Sequence, residues 1–238
     1  MYFPYGFGFY GLDGRMMLLL LFAFVFSMYA QIKVQTAFAR FSQMAAASGL
    51  TGAQVARMLL DQNGLYDVPV ELVPGRLTDH YDPRTRRMRL SPEVYHGRSL
   101  AALGVAAHET GHAVQHAQAY AALAFRNSLF PVANLGSSLA LPIFFAGFLF
   151  GGSTFLMNLG ILLFSFAVLF QLVTLPVEFN ASRRALAMLE TSGVLARGEE
   201  LEGAREVLRA AALTYLAATA VSLVWLFRLL LLRGSRDD

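Results

Sequence analysis

A chain of 238 residues has room for one or two compact units. With 56% hydrophobic residues and a mean hydropathy of +0.49, it is too apolar for an ordinary soluble domain. A formal net charge of +3, carried mostly beside apolar segments, points to membrane topology and away from nucleic-acid binding, and the lack of cysteine excludes disulfides and limits any metal site to histidine and carboxylate ligands.

The first apolar stretch covers residues 16–34, after an aromatic segment at 1–10. Its densest part, 16–30, falls short of the roughly 20 residues that cross a bilayer, and Ile32 and Val34 bring it near full length. The end of that core offers no small-x-small cleavage site, and the nearest such triplet, Ala37-Phe38-Ala39, lies beyond Lys33. The segment therefore reads as an uncleaved anchor.

Residues 35–127 are polar and hold most of the charge. Residues 51–61 have the pattern of an amphipathic helix, with Thr51 and Gln54 as a capping box and Asn63-Gly64 as its end. Residues 68–73 read as a strand, with Pro69 marking an edge or first position. Asp82-Pro83-Arg84-Thr85 is a turn, and 86–90 a second short strand. Ser91-Pro92 has the form of a helix start, and a longer helix is predicted over 98–117.

Two further apolar stretches, 129–150 and 154–175, are separated only by Gly151-Gly152-Ser153, which makes them a membrane hairpin. A fourth covers 210–232, with Arg228 one turn from its end and able to snorkel to the interface. One such stretch could be a buried soluble helix, but so small a remainder could not cover four.

The 98–117 helix carries His108-Glu109-Thr110-Gly111-His112, an HExxH motif. On a helix, i and i+4 share one face about 6 Å apart along the axis, so two imidazoles can reach one cation. Glu109 lies beside that face, where a carboxylate can take a proton from a water that the metal activates. Gly111 weakens the helix by about 1 kcal/mol relative to alanine, which suggests a crowded site. A catalytic zinc needs three protein ligands. His80, His96 and His116 are the remaining histidines, and His116 cannot converge with His108 and His112 from one straight helix. His80 could approach. Glu178, just after Pro176, could also project onto the motif helix, or simply pair with Arg183 or Arg184. Spacing alone leaves these open.

The motif, followed by a hydrophobic hairpin and then Glu178-Phe179-Asn180-Ala181-Ser182-Arg183, resembles the gluzincin pattern of HtpX-type membrane proteases, in which a Glu-x-x-Ala-Asp helix follows. This resemblance implies that Glu178 is the third zinc ligand; Ser182 stands where that family usually has aspartate. Four further blocks, 48–52, 77–84, 105–116 and 131–137, resemble the bacterial membrane-bound neutral zinc metallopeptidase family of the YugP type. That resemblance implies a mainly α membrane protein with about four transmembrane helices and a small α+β zincin-like catalytic domain. The organisation is then a first span (1–34), a catalytic domain (35–127), a hairpin (128–176), a third-ligand helix with a return segment (177–209), and a last span with a tail (210–238).

The expected activity is hydrolysis of peptide bonds with Zn²⁺ held by His108, His112 and Glu178, and Glu109 as general base. Expected partners are the lipid bilayer and a protein or peptide substrate, membrane proteins included, and no nucleic acid. By analogy with zincins of this plan, the 86–90 strand would be an edge that pairs with the extended substrate. His80, Tyr81 and Arg183 are unranked candidates for stabilising an oxyanion.

Lys33, Arg40, Arg126, Arg183, Arg184, Arg197, Arg205 and Arg209 flank the spans on the catalytic side, against Arg15, Arg233 and Arg236 opposite. The positive-inside rule then favours a catalytic domain on the cytoplasmic side of a bacterial cell membrane. Two rival readings stand beside this one. An intramembrane protease would place the motif in a spanning helix, but Arg98, Gln115 and Gln118 interrupt it, and Leu12-Asp13-Gly14 stands in the wrong order for that class. A catalytically inactive metal-binding scaffold would have no use for Glu109.

Overall fold

The computed structural model describes residues 14–150 and 153–234. The aromatic segment 1–10, Leu12 and Asp13, Gly151 and Gly152, and Arg236 lie outside them. In chain order the elements are α1 (Gly14–Ser42), α2 (Gly52–Gln62), β1 (Val70–Leu72), β2 (His80–Asp82), β3 (Arg87–Leu90), α3 (Pro92–Tyr95), α4 (Leu100–Ala117), α5 (Ala121–Leu149), α6 (Thr154–Thr191) and α7 (Glu199–Gly234). Among the described residues the protein is mainly helical with one small sheet, as the sequence predicts. Among the described residues four helices, α1, α5, α6 and α7, are long and apolar enough to cross a membrane.

The chain forms two units. Among the described residues the first comprises 14–29, 126–150, 153–173 and 215–234, and so takes in the apolar parts of those four helices. Phe144, Met157, Leu229 and Leu232 form its core, while Leu18, Phe22 and Phe155 are exposed, as suits a surface facing lipid acyl chains. A Cβ at Gly136 would lie 2.3 Å from the Leu163 carbonyl oxygen, and one at Gly160 2.7 Å from that of Ala140. Small residues thus let α5 and α6 meet backbone to backbone, the packing that joins helices where lipid supplies no hydrophobic drive. The Arg228 guanidinium lies 5.1 Å from the Trp225 ring centroid, a cation–π contact.

The second unit comprises Ala30–Phe125 and Thr174–Thr214. Thr51 caps α2 through the predicted capping box: its hydroxyl accepts from Gln54 N at 3.3 Å, and Gln54 Oε1 accepts from Thr51 N at 2.9 Å. The apolar face of α2 (Val55, Ala56, Leu59, Leu60) is buried, and Leu60 and Ala56 share a cluster with Met88 and Leu90 of the sheet and Ala106 and Val114 of α4. Each large apolar side chain so buried contributes about 1.5–3 kcal/mol.

Among the described residues the sheet has three strands in the order β1-β3-β2, β1 parallel and β2 antiparallel to β3. This corrects the edge-strand analogy: β3 is the middle strand, and the edges are β1 and β2. The reason is β2 itself, three residues with no apolar alternation, ending in the turn where Asp82 accepts from Arg84 N at 2.9 Å and from the Thr85 hydroxyl at 2.7 Å. A second difference concerns Ser91. Its N–H and hydroxyl donate to Asp79, so it anchors the start of β2 instead of capping α3 through its side chain.

α6 also runs unbroken through Pro176 for 38 residues. Proline removes one backbone donor and crowds one carbonyl, a local fault that a long helix can carry where neighbours satisfy the freed group. The apolar stretch and the segment with Glu178 therefore belong to one helix.

Candidate metal centre

The centre is built on α4. Ser99 starts this helix by accepting a hydrogen bond from Ala102 N at 3.2 Å. Leu100, Ala101, Leu103, Ala106 and Ala107 bury its first two turns, which fixes its rotation. His108 and His112 then project from one face, with ring centroids 4.7 Å apart and the planes at 89°.

The third group comes from α6. Glu178 is 3% exposed, and its Oε2 lies 3.2 Å from His108 Nε2 and 3.5 Å from His112 Nε2. Gly111 makes this approach feasible: a Cβ there would stand 2.6 Å from the Ala181 carbonyl oxygen, a backbone atom with little freedom to move. The low helix propensity of glycine is the cost of bringing two helices into contact one residue from a ligand.

Among the described residues one group of side chains could hold a metal ion: His108, His112 and Glu178, whose ligand atoms lie within 4.8 Å of one another. Ligands bonded to zinc at about 2.0–2.1 Å in tetrahedral geometry stand roughly 3.3 Å apart. The two spacings to Glu178 match that value, and two imidazoles with one carboxylate make a donor set that suits zinc and leaves a fourth position open.

Electrostatics couple the same groups to one another. Burial pushes the Glu178 carboxyl up, but hydrogen bonds and charge from His108 and His112 outweigh it and hold the group well below the ordinary carboxylate range. Burial lowers His112, and Glu178, with help from Glu109 and Gln115, reverses this and raises it above an ordinary histidine. The carboxylate is thus ready-made as an anionic ligand.

Each histidine has an outer partner on its other nitrogen. Ser182 Oγ lies 3.1 Å from His108 Nδ1, and Gln115 Oε1 lies 3.0 Å from His112 Nδ1. Ser182 thus stands on the outer side of His108. Glu109, 8% exposed, accepts from the backbone N–H of Tyr81 at 3.0 Å through Oε2. The Tyr81 hydroxyl is 2.9 Å from His116 Nδ1, which accounts for His116 outside the ligand group. Burial raises the Tyr81 phenol above its ordinary value, so the hydroxyl is neutral. His80 is exposed, with Nδ1 2.7 Å from the Thr78 carbonyl, and His96 packs edge-on against Tyr95. Arg183 is exposed on α6.

Sequence reasoning missed Gln115 and the Tyr81 backbone. The signal for the first was faint: a glutamine three residues after the second histidine, in an otherwise small and apolar helix. The second carried none, since a backbone donor has no sequence signature.

The family described as "Putative neutral zinc metallopeptidase" matches residues 16–234. The chain is also 53% identical over 213 residues to "Putative membrane protease YugP" of Bacillus subtilis (strain 168), covering 89% of this chain and 94% of that protein. No solved structure matches the chain.

Proposed function

Because the chain belongs to the neutral zinc metallopeptidase family, we propose that it is a membrane-anchored endopeptidase whose site is His108, His112, Glu178 and Glu109. The observation that carries this is the convergence of both motif histidines and Glu178 within 4.8 Å. Zinc held there would supply Lewis acidity to the scissile carbonyl and to the attacking water. The chain's own residues do the rest. His108 and His112 offer neutral nitrogens and Glu178 one negative charge. Glu109 moves the proton: Oε2 is engaged by Tyr81 N–H, which leaves Oε1 to accept from the water and to return the proton to the leaving amine nitrogen.

The substrate lies along β2. Tyr81 pairs with Met88 of β3 in register, but its N–H turns to Glu109, so the backbone of β2 and the general base are in direct contact. An extended peptide added to this open edge would bring its scissile bond beside Glu109.

The test is hydrolysis of an unfolded protein such as casein by the detergent-purified chain. Activity should vanish after chelation and return with added zinc. Hydrolysis that persists in the fully chelated protein would contradict the reading.

The catalytic segments face the cytoplasm of a bacterial cell, on the distribution of lysine and arginine about the spans. A cysteine introduced within 35–127 should stay unlabelled by a membrane-impermeant reagent on intact cells, and labelling there would reverse the orientation.

A further inference from the structure

Gln115 is 0% exposed and joins the two ligand-bearing helices. Its Nε2 donates to the Val177 carbonyl at 2.8 Å and to Asn180 Oδ1 at 2.9 Å, on either side of Glu178 in sequence. Its Oε1 faces His112 Nδ1 at 3.0 Å. We propose that Gln115 is a positioning residue that fixes which nitrogen of His112 faces the metal, and that Arg184 sets its direction. The proposal rests on the metal-centre reading above.

The direction follows from donors and acceptors alone. Arg184 has only donors. Its Nε donates to Asn180 Oδ1 at 2.7 Å and its Nη1 to Gln118 Oε1 at 2.7 Å. Asn180 must therefore present its oxygen to this cluster, and that oxygen requires the nitrogen of Gln115. Turning the Gln115 amide over would set its oxygen against two acceptors, Asn180 Oδ1 and the Val177 carbonyl, in a fully buried place. The amide is locked, and its oxygen accepts from His112. The proton of neutral His112 must then sit on Nδ1, which leaves the Nε2 lone pair on the side of Glu178, free to serve a cation that His108, His112 and Glu178 would hold.

His108 shows the contrast. Its Nδ1 meets the Ser182 hydroxyl, which rotates to donate or accept and selects neither form. One imidazole is thus pre-set by a relay from Arg184 through Asn180 and Gln115, and the other is free to adapt. The sharing of Gln115 between His112 and the backbone beside Glu178 also means that one side chain sets the spacing of two ligands from different helices.

The experiment compares wild type with Gln115→Met and Arg184→Met, two variants that touch no ligand-to-metal bond. Histidine labelled with nitrogen-15 reports the ring proton in metal-free protein at alkaline pH, where the ring is neutral. Wild type should carry it on Nδ1 of His112, and Gln115→Met should move it to Nε2, beside Glu178. Zinc dissociation constants from chelator competition should rise about 10–100-fold in Gln115→Met, and in the same direction by less in Arg184→Met. A folded Gln115→Met protein with an unchanged proton position and an unchanged constant would overturn the proposal. So would a lower melting temperature of the metal-free protein with the proton still on Nδ1, which would make Gln115 a packing residue. If Gln115→Met does not fold, Arg184→Met decides by the same two readouts. Wild type that binds no zinc would contradict the metal centre itself, and the proton position would still decide the role of Gln115.

Discussion

Replacing Glu109 by glutamine should lower peptide hydrolysis by about 10²–10⁴-fold, the usual size of a positioned general base, and leave zinc binding intact. The substitution is nearly isosteric. A glutamine oxygen can still accept from Tyr81 N–H, so α4 and β2 keep their contact. The amide has no basic lone pair comparable to Oε1, and proton removal from the attacking water fails. Zinc should remain because Glu109 lies outside the ligand group of His108, His112 and Glu178. Undiminished hydrolysis in Glu109→Gln would remove it from the mechanism, and loss of zinc would make it part of the metal site.

Replacing Glu178 by alanine should have the opposite signature, with zinc lost and activity lost through it. The effect on affinity should exceed the about 10–100-fold typical of an outer-shell partner, because the only anionic ligand is removed. The metal-free protein should feel the change as well. The Glu178 carboxyl is depressed in the folded state, so its contribution is present above the unfolded value near about 4.3 and lost as pH falls through the folded one. His112 is raised, so its contribution is present below about 6.5 and lost as pH rises through the folded value. Both are fully present only between those limits, and the difference in melting temperature between metal-free wild type and Glu178→Ala should be greatest there. A difference that grew steadily towards alkaline pH would contradict the pairing of the two groups.

Much of this was legible in the sequence because it depended on local chemistry. Thr51 with Gln54 is a capping box whether or not the rest of the chain is known, and four long apolar stretches can hardly be anything but helices in lipid. The His108–His112 spacing names its own geometry, and the structure brings Glu178 to the same point. What was hidden depended on contacts distant in sequence. β2 exists because β3 and the Asp79–Ser91 bonds hold three residues straight, and nothing in His80-Tyr81-Asp82 announces a strand. The start of α7 at Glu199 lies well before the apolar stretch, in a first turn with Glu199, Glu200 and Glu202 that suits a helix N-terminus. Pro176 looked like a boundary and is not one, since α6 runs through it unbroken from Thr154 to Thr191. Gln115 is ordinary in sequence and becomes informative only when its three partners are known to come from α4 and α6.

The central claim is that residues from two helices hold one zinc ion, and the most direct measurement is metal content of the detergent-purified chain, wild type against His112→Ala and Glu178→Ala. The account predicts about one zinc per chain in wild type and loss from both variants. Zinc retained in Glu178→Ala but lost in His112→Ala would contradict it and move the third ligand elsewhere, and wild type that takes up no zinc even when it is supplied would contradict the metal centre altogether.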